Sequence, residues 1–206
     1  MPDARVDGFT VTRFTGLPSF RAQEQLEHEI LAEAGLPDDL LESRGRERPS
    51  PHTFHVAVAG GRPVAAAVST LGPLAEVPLG LALAAAGVEI GDLEPLPSPV
   101  AELVSLSEDR TADLTGVAEA LYRSFYQQAK QQGAESLVLS IDPWVLDLLN
   151  EQYGVPFQVI GPMLDQLGRT LLPVGGRLVD LEAGIAEHAP EFLAYMQQPD
   201  DVLSQP

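Results

Sequence analysis

Apolar and polar positions change period several times between Val100 and Pro162, and the changes divide that stretch into packed α/β units. Val100–Ser107 alternates as a strand does, and a polar loop runs from Glu108 to Gly116. Val117–Gln132 then places Val117, Leu121, Phe125 and Ala129 four residues apart, which predicts a helix with one buried stripe. Tyr122 and Tyr126 flank that stripe and read as packing residues. Gly133 stops the helix. Ser136–Ile141 predicts a strand, Pro143–Gln152 a helix and Val155–Gly161 a strand.

The flanking chain extends the pattern. Phe9–Phe14 predicts a first strand. A helix follows from Ser19, a suitable N-cap, to Gly35, burying Leu26, Ile30 and Ala34, and a short helix runs from Asp38-Asp39 through Ser43. Arg44, Arg46 and Arg48 form a basic, proline-flanked loop. Thr53–Ala59 and Pro63–Leu71 are apolar strands joined by Gly60-Gly61-Arg62, a hairpin signal. Gly72–Pro99 reads as an insertion with a short helix near Leu79–Ala86. After a turn at Asp165–Arg169, Thr170–Leu181 predicts a last strand broken by Pro173 and Gly175-Gly176. Pro190–Gln197 predicts a helix packing back through Phe192, Leu193 and Met196, and 199–206 a disordered acidic tail. The expected architecture is one α/β domain of the α+β type over 1–198, with a mixed central sheet of about six to seven strands flanked by helices.

Candidate chemistry lies at the junction of loop and helix. A helix opening at Gly116 has first-turn N–H groups without partners inside the helix, a seat for a phosphate or a polarised carbonyl. Ordinary helix capping accounts for such a glycine equally well.

The segment resembles the core of the GNAT superfamily of N-acyltransferases. That family runs a fourth strand, a pyrophosphate loop of the form Arg/Gln-x-x-Gly-x-Gly/Ala, a helix, a fifth strand, a helix and a sixth strand. Here Asp113-Leu-Thr-Gly116-Val-Ala118 supplies the glycine and the alanine, and Asn150-Glu-Gln-Tyr-Gly154 stands where the family has Tyr-Glu-Lys-Leu-Gly. The likeness is greatest to the branch of N-acyl amino acid synthases and acyl-homoserine-lactone synthases, whose fourth-strand Glu is matched by Glu102, with Ser105 in place of that branch's Arg. It covers roughly residues 50–183. The resemblance implies a core of that extent and an acyl group carried as a CoA or acyl-carrier-protein thioester. It implies thioester contacts from the backbone near Leu106 and Ser107, and cofactor contacts from Arg110, Gly116, Val117, Ala118 and Asn150. It also implies that the 72–99 insertion lines an acyl groove. Glu102, predicted to share a strand face with Val104 and Leu106, becomes the candidate base or amine-positioning carboxylate; an ion pair or an edge position is the alternative reading.

Charge narrows the partners. With 12 basic and 30 acidic residues the net charge is −18, which disfavours nucleic acid and anionic membranes. Any CoA or carrier site must be a local basic exception, and the three arginines of 44–48 are a candidate carrier-protein contact. There is no cysteine, so thiolate metal sites and thiol nucleophiles are excluded. The histidines at 28, 52, 55 and 188 have no metal-ligand spacing; no metal is expected, and His55 is read as a packed strand residue before a catalytic one. The first residues lack a signal-peptide pattern, so a cytoplasmic location is expected.

These features predict an N-acyltransferase acting on a small-molecule amine such as an amino acid. Asp113, Asn150 and Ser105 depart from the family pattern and support a second expectation, a GNAT-like fold kept as a binding or protein-interaction module.

Overall fold

A computed structural model describes residues 8–15, 52–93, 96–108, 115–166 and 169–198. The helices expected between Ser19 and Ser43, the arginine loop at 44–48, Arg110, Asp113 and the tail after 198 lie outside the described residues.

Strand β1 (Phe9–Thr15) pairs antiparallel with β2 (His52–Ala59), β2 with β3 (Arg62–Gly72), and β3 with β4 (Val100–Glu108). The β2–β3 turn is Gly60-Gly61, with φ of +58° and +77°. Two successive positive φ values make the tight turn whose twist suits a hairpin, and glycine adopts them without a Cβ penalty. Helix α1 (Pro78–Ala85) lies in the β3–β4 connection, helix α2 (Val117–Gln131) carries the chain from β4 to β5 (Ser136–Ile141), and α3 (Pro143–Tyr153) follows. Short strands β6 (Gln158–Val159) and β7 (Leu164–Gln166) pair with β8 (Arg169–Arg177), which itself pairs antiparallel with β5. Helices α4 (Leu178–His188) and α5 (Pro190–Gln197) end the described chain. The eight strands run β1-β2-β3-β4-β5-β8-β6, with β7 on β8. Among these pairings β4–β5 is parallel and the rest antiparallel, so the sheet is mixed as expected.

Two expectations change. The strand expected at Val155–Gly161 shrinks to Gln158–Val159, because Pro156 and Pro162 bracket it and neither can donate to a ladder. Thr170–Leu181 is a continuous strand only to Arg177, after which Leu178 opens α4, a helix that the period-2 reading missed. The glycines do not break β8; they allow close packing. A Cβ on Gly175 would lie 2.8 Å from Leu96 Cδ1, and one on Gly176 2.8 Å from Leu181 Cδ2.

The helices divide the core into two faces. On one, the α2 stripe of Val117, Leu121, Phe125 and Ala129 packs with Ala57, Ala67, Leu103 and Leu139 of the sheet and with Leu181, Ile185 and Met196 of α4 and α5. On the other, Leu79 and Leu83 of α1 pack on Val100 and Val138, and Phe54, Val56 and Val68 form a neighbouring cluster with Val104. The 72–99 insertion therefore covers a sheet face with packed side chains, the structural alternative to an acyl groove.

A buried polar network ties α2 to the antiparallel strands. His55, fully buried, faces Ser124 Oγ through Nδ1 at 2.8 Å and Ser69 Oγ through Nε2 at 2.9 Å. Ser69 Oγ donates to Gln128 Oε1 at 2.8 Å, and Gln128 Nε2 donates to Thr53 Oγ1. Since the Ser69 hydroxyl proton is committed to Gln128, its oxygen accepts from Nε2–H of His55, and Nδ1 accepts from Ser124. A neutral ring satisfies both contacts. Burial, then the charge of Arg13, lowers the His55 pKa from 6.5 to about 3, with a hydrogen bond to Gln128 opposing the shift. His55 is thus a packed residue, as its isolation in the sequence implied.

Candidate active site

The site starts from an irregularity in β4. Its ladder with β3 steps from Leu103↔Ser69 to Ser105↔Val68, leaving Val104 as an extra residue. Such a bulge bends its strand and interrupts side-chain alternation. Up to the bulge, Val100 and Glu102 face α1 while Ala101 and Leu103 face α2. Beyond it Leu106 packs on the α2 side, opposite Val104. The expectation that Glu102 shares a face with Val104 and Leu106 therefore holds for Val104 and fails for Leu106, since one extra residue reverses the parity.

Next to the bulge β4 leaves β5. The two strands pair from Val100↔Ser136 to Leu103↔Leu139 and no further, although β4 continues to Glu108 and β5 to Ile141. Past Leu103 the β4–β5 ladder stops while both strands continue, so the two diverge. The wedge between the strands holds a cavity of about 240 Å³ lined by Leu103–Ser107, by Leu139–Asp142, by Tyr122 of α2 and Val145 of α3, and by Gln166, Arg169 and Leu171. Asp142 and Arg169 form an ion pair at its wall.

Helix α2 begins beside the end of β4. Gly116 caps it with φ +83°, a left-handed conformation that favours glycine, and Ala120 N donates to Gly116 O at 3.0 Å as the first helical bond. The amides of Val117 and Ala118 precede that bond and belong to the first-turn donors with no partner inside the helix. Glu119 sits in the same turn. Tyr122, one turn on, has its pKa raised by burial and then by Glu119, Glu108 and Tyr153, so its phenol stays protonated near neutral pH.

Leu106 and Ser107 thus line the wedge, while Gly116, Val117 and Ala118 form the helix start without lining it. Asn150 is exposed on α3 and outside the cavity wall, its carbonyl accepting from Gly154 N at 3.0 Å. Tyr153 packs against Phe192 with the rings tilted by 37° and centroids 4.3 Å apart, away from the wedge as its place round the helix implied. Glu102 lies one residue before the lining, 4% exposed, and its Oε2 accepts from Leu79 N at 2.9 Å, capping the start of α1. Burial raises its pKa from 4.5 to about 7 against the opposing effect of that hydrogen bond. The ion-pair alternative is replaced by a helix cap. Sequence reasoning missed the wall residues Tyr122, Ser140, Gln166 and Arg169. Tyr122 was legible only as a neighbour of the apolar stripe, and Gln166 on β7 and Arg169 on β8 reach the wedge because β7 pairs with β8, a strand that the Pro and Gly residues obscured.

No protein-family model matches the sequence, and no curated protein matches it. Among solved structures, FeeM, an N-acyl amino acid synthase from uncultured soil microbes, is 16% identical with a TM-score of 0.57, over 87% of this chain and 97% of that one. A CoA-dependent acyl-homoserine lactone synthase, BjaI, is 14% identical with a TM-score of 0.59, over 96% of this chain and 94% of that one. An agmatine N-acetyltransferase is 16% identical with a TM-score of 0.51, over 82% and 100%. The fold is that of the GNAT acyltransferases. In GNAT terms β4, α2 and β5 are the fourth strand, the helix after the loop and the fifth strand.

The residues present fit a thioester unevenly. The wedge has both polar and apolar walls, which suit the amides and methylenes of a pantetheine arm. The start of α2 offers amides to a diphosphate, yet Glu108 and Glu119 stand beside it. Among the described residues no group of three potential metal ligands occurs, and no helix is long and apolar enough to cross a membrane.

Proposed function

We propose that the protein is an N-acyltransferase moving an acyl group from a CoA or carrier-protein thioester to a small-molecule amine, such as that of an amino acid. The observation that carries this reading is the wedge: a parallel β4–β5 pair that ends at Leu103 and Leu139 beside the bulge at Val104. A thioester arm would lie along the stretch of β4 that no longer pairs with β5, with backbone near Leu106 and Ser107 facing the thioester oxygen. The amine nitrogen attacks the carbonyl carbon, the C–N bond forms and the C–S bond breaks. The nitrogen loses a proton to Glu102, whose Oε2 is held by Leu79 N while Oε1 is outside that bond. The departing sulfur takes a proton from Tyr122, the phenol on the wedge wall, and the start of α2 at Gly116, Val117 and Ala118 faces the phosphate end. Arg110 and the arginines at 44, 46 and 48 remain candidates for the CoA phosphates and for a carrier protein, and a cytoplasmic setting fits such donors.

The test is incubation of purified protein with acyl-CoAs of graded length and a panel of amino acids, read by mass spectrometry. An acylated amine that disappears in Glu102→Gln, with folding intact, supports the assignment; full activity in that variant removes Glu102 from the chemistry. Binding alone is read by thermal shift, where ligand at 100 times its Kd adds about 2.7 kcal/mol to stability.

The second reading is a GNAT-fold binding module without catalysis. Glu108 and Glu119 beside the first turn of α2, where an anionic diphosphate would lie, favour it. Absence of transfer and of any thioester-induced shift would select it.

A further inference from the structure

The wedge carries one pair of opposite charges on its wall. Among the residues lining it Asp142 is the acid and Arg169 the base, and Arg169 Nη2 donates to Asp142 Oδ2. Asp142 is the N-cap of α3, where an aspartate ordinarily accepts from a first-turn amide, yet its side chain makes no such bond. It is turned to Arg169 instead.

The β7–β8 ladder directs the arginine in the same way. Arg169 is paired with Gln166, which also lines the wedge, while on the next rung Thr170 Oγ1 donates to Asp165 Oδ1 at 2.9 Å. Successive residues of a strand project to opposite faces. The acid nearest Arg169 in sequence is therefore engaged on the other face of the hairpin, and the arginine is left to the cavity.

An exposed ion pair of this kind contributes little to stability. What it does hold is a planar guanidinium in a fixed place. One of its N–H donors goes to Asp142, and the Arg169 side chain remains 64% exposed. The other donors suit a carboxylate, which a guanidinium takes through two parallel bonds. Apolar wall lies in the same cavity, from Leu106, Ile141, Val145 and Leu171. Asp142 comes three residues after the last rung on the β5 side, as Leu106 does on β4, so the pair stands across the wedge from the stretch of β4 given to the thioester.

We propose that Arg169 is the specificity-determining residue for the acceptor, binding the carboxylate of an α-amino acid with an apolar side chain, and that Asp142 is a positioning residue that holds the guanidinium for it. The amine, one carbon away from the carboxylate, then lies in the wedge. The proposal rests on the acyltransferase reading for what happens to that amine, while the carboxylate seat is tested without a thioester.

The experiment uses the full chain. Isothermal titration compares L-leucine with L-leucinamide and isoamylamine, which keep the amine and the side chain but lack the carboxylate. L-Leucine should bind at least about tenfold more tightly than either, as expected for a charge-assisted hydrogen bond. Arg169→Met should remove that preference, and Arg169→Lys, with the charge but not the fork, should restore only part of it. Asp142→Asn should weaken leucine and not isoamylamine, a split that a general structural loss would not produce. Arg177→Met, on the same strand but outside the wedge and beside Asp180, should keep the preference. Equal binding of the three ligands, binding of none, or a leucine preference retained in Arg169→Met overturns the assignment. Transfer to isoamylamine as readily as to leucine does so while the acyltransferase reading stands. A preference that Arg169→Met loses, with no transfer from any thioester, upholds the seat and overturns the acyltransferase reading. Weaker CoA binding with leucine binding intact in Arg169→Met gives the arginine to the donor's phosphates and overturns the proposal.

Discussion

Leu103 and Leu139 are the last rung of the β4–β5 ladder, and their side chains line both the wedge and a smaller cavity of about 90 Å³ among apolar residues of the sheet, α2, α4 and α5. The point where backbone pairing stops is therefore also a point where two cavities share a lining. Truncating either side chain enlarges the space it lines. Leu139→Ala is expected to cost about 2–5 kcal/mol, read as a lower urea midpoint with an unchanged m-value.

Glu102 and its cap set one pH dependence. Its carboxyl is raised to about 7 in the folded chain and titrates near 4.5 when unfolded. Between those values the folded state holds the extra proton, so this contribution is fully present below pH 4.5 and is lost as pH rises to 7. Glu102→Gln keeps an acceptor for Leu79 N and removes the titration. Relative to the unaltered protein, the variant should gain about 1.4 kcal/mol per pH unit between 4.5 and 7; parallel stability curves would contradict the buried, proton-holding carboxyl.

His55 produces the opposite slope. Its ring stays neutral down to about pH 3 when folded, whereas the unfolded chain takes up the proton near 6.5. Stability from this group is complete above pH 6.5 and falls as pH drops toward 3. From 4.5 to 6.5 the two groups offset each other, so the Glu102→Gln variant should show the acid-side loss from His55 more steeply than the unaltered protein. Urea midpoints across that range check it.

Tyr122→Phe removes the phenol from the wedge and little volume from the core. Turnover should fall about a hundredfold or more, within the range typical of lost acid catalysis, with KM and melting temperature nearly unchanged. An unchanged kcat would reassign the proton donor.

Gly116→Ala should destabilise by roughly 1–2 kcal/mol, since an L-residue at φ +83° meets its own carbonyl. A thermal melt measures it, and no loss would show that the start of α2 relaxes.

What could be read from the sequence follows from how local each signal is. The α2 stripe, the Gly60-Gly61 hairpin and α5 are set by residues within a few positions of one another, and they stand where the pattern put them. The bulge at Val104 left no local trace, because Val-Ser-Leu continues an ordinary alternation, and it alone moved Leu106 to the other face from Glu102. Gly175 and Gly176 read as breakers, yet they are small because Leu96, distant in sequence, and Leu181, on the helix that follows, come within contact. The wedge combined both kinds: Leu106 and Ser107 were legible on β4, while Gln166 and Arg169 depended on knowing that β8 folds back beside β5. Asn150 was placed by analogy with the family's helix, and its exposure removed it from the wall.

The ladders also divide the sheet in an uneven way. Strands β1 to β4 form one leaf, laced antiparallel as far as Glu108, and β5 to β8 form another, laced to Ile141. Four rungs, from Val100 to Leu103 against Ser136 to Leu139, make the spine between them. Each leaf is contiguous in the chain, and α2 is the thread that passes from one to the other. A molecule held by both leaves at the open end works as a clasp far from the spine, so even a weakly bound occupant steadies the fold where its own stitching is thinnest.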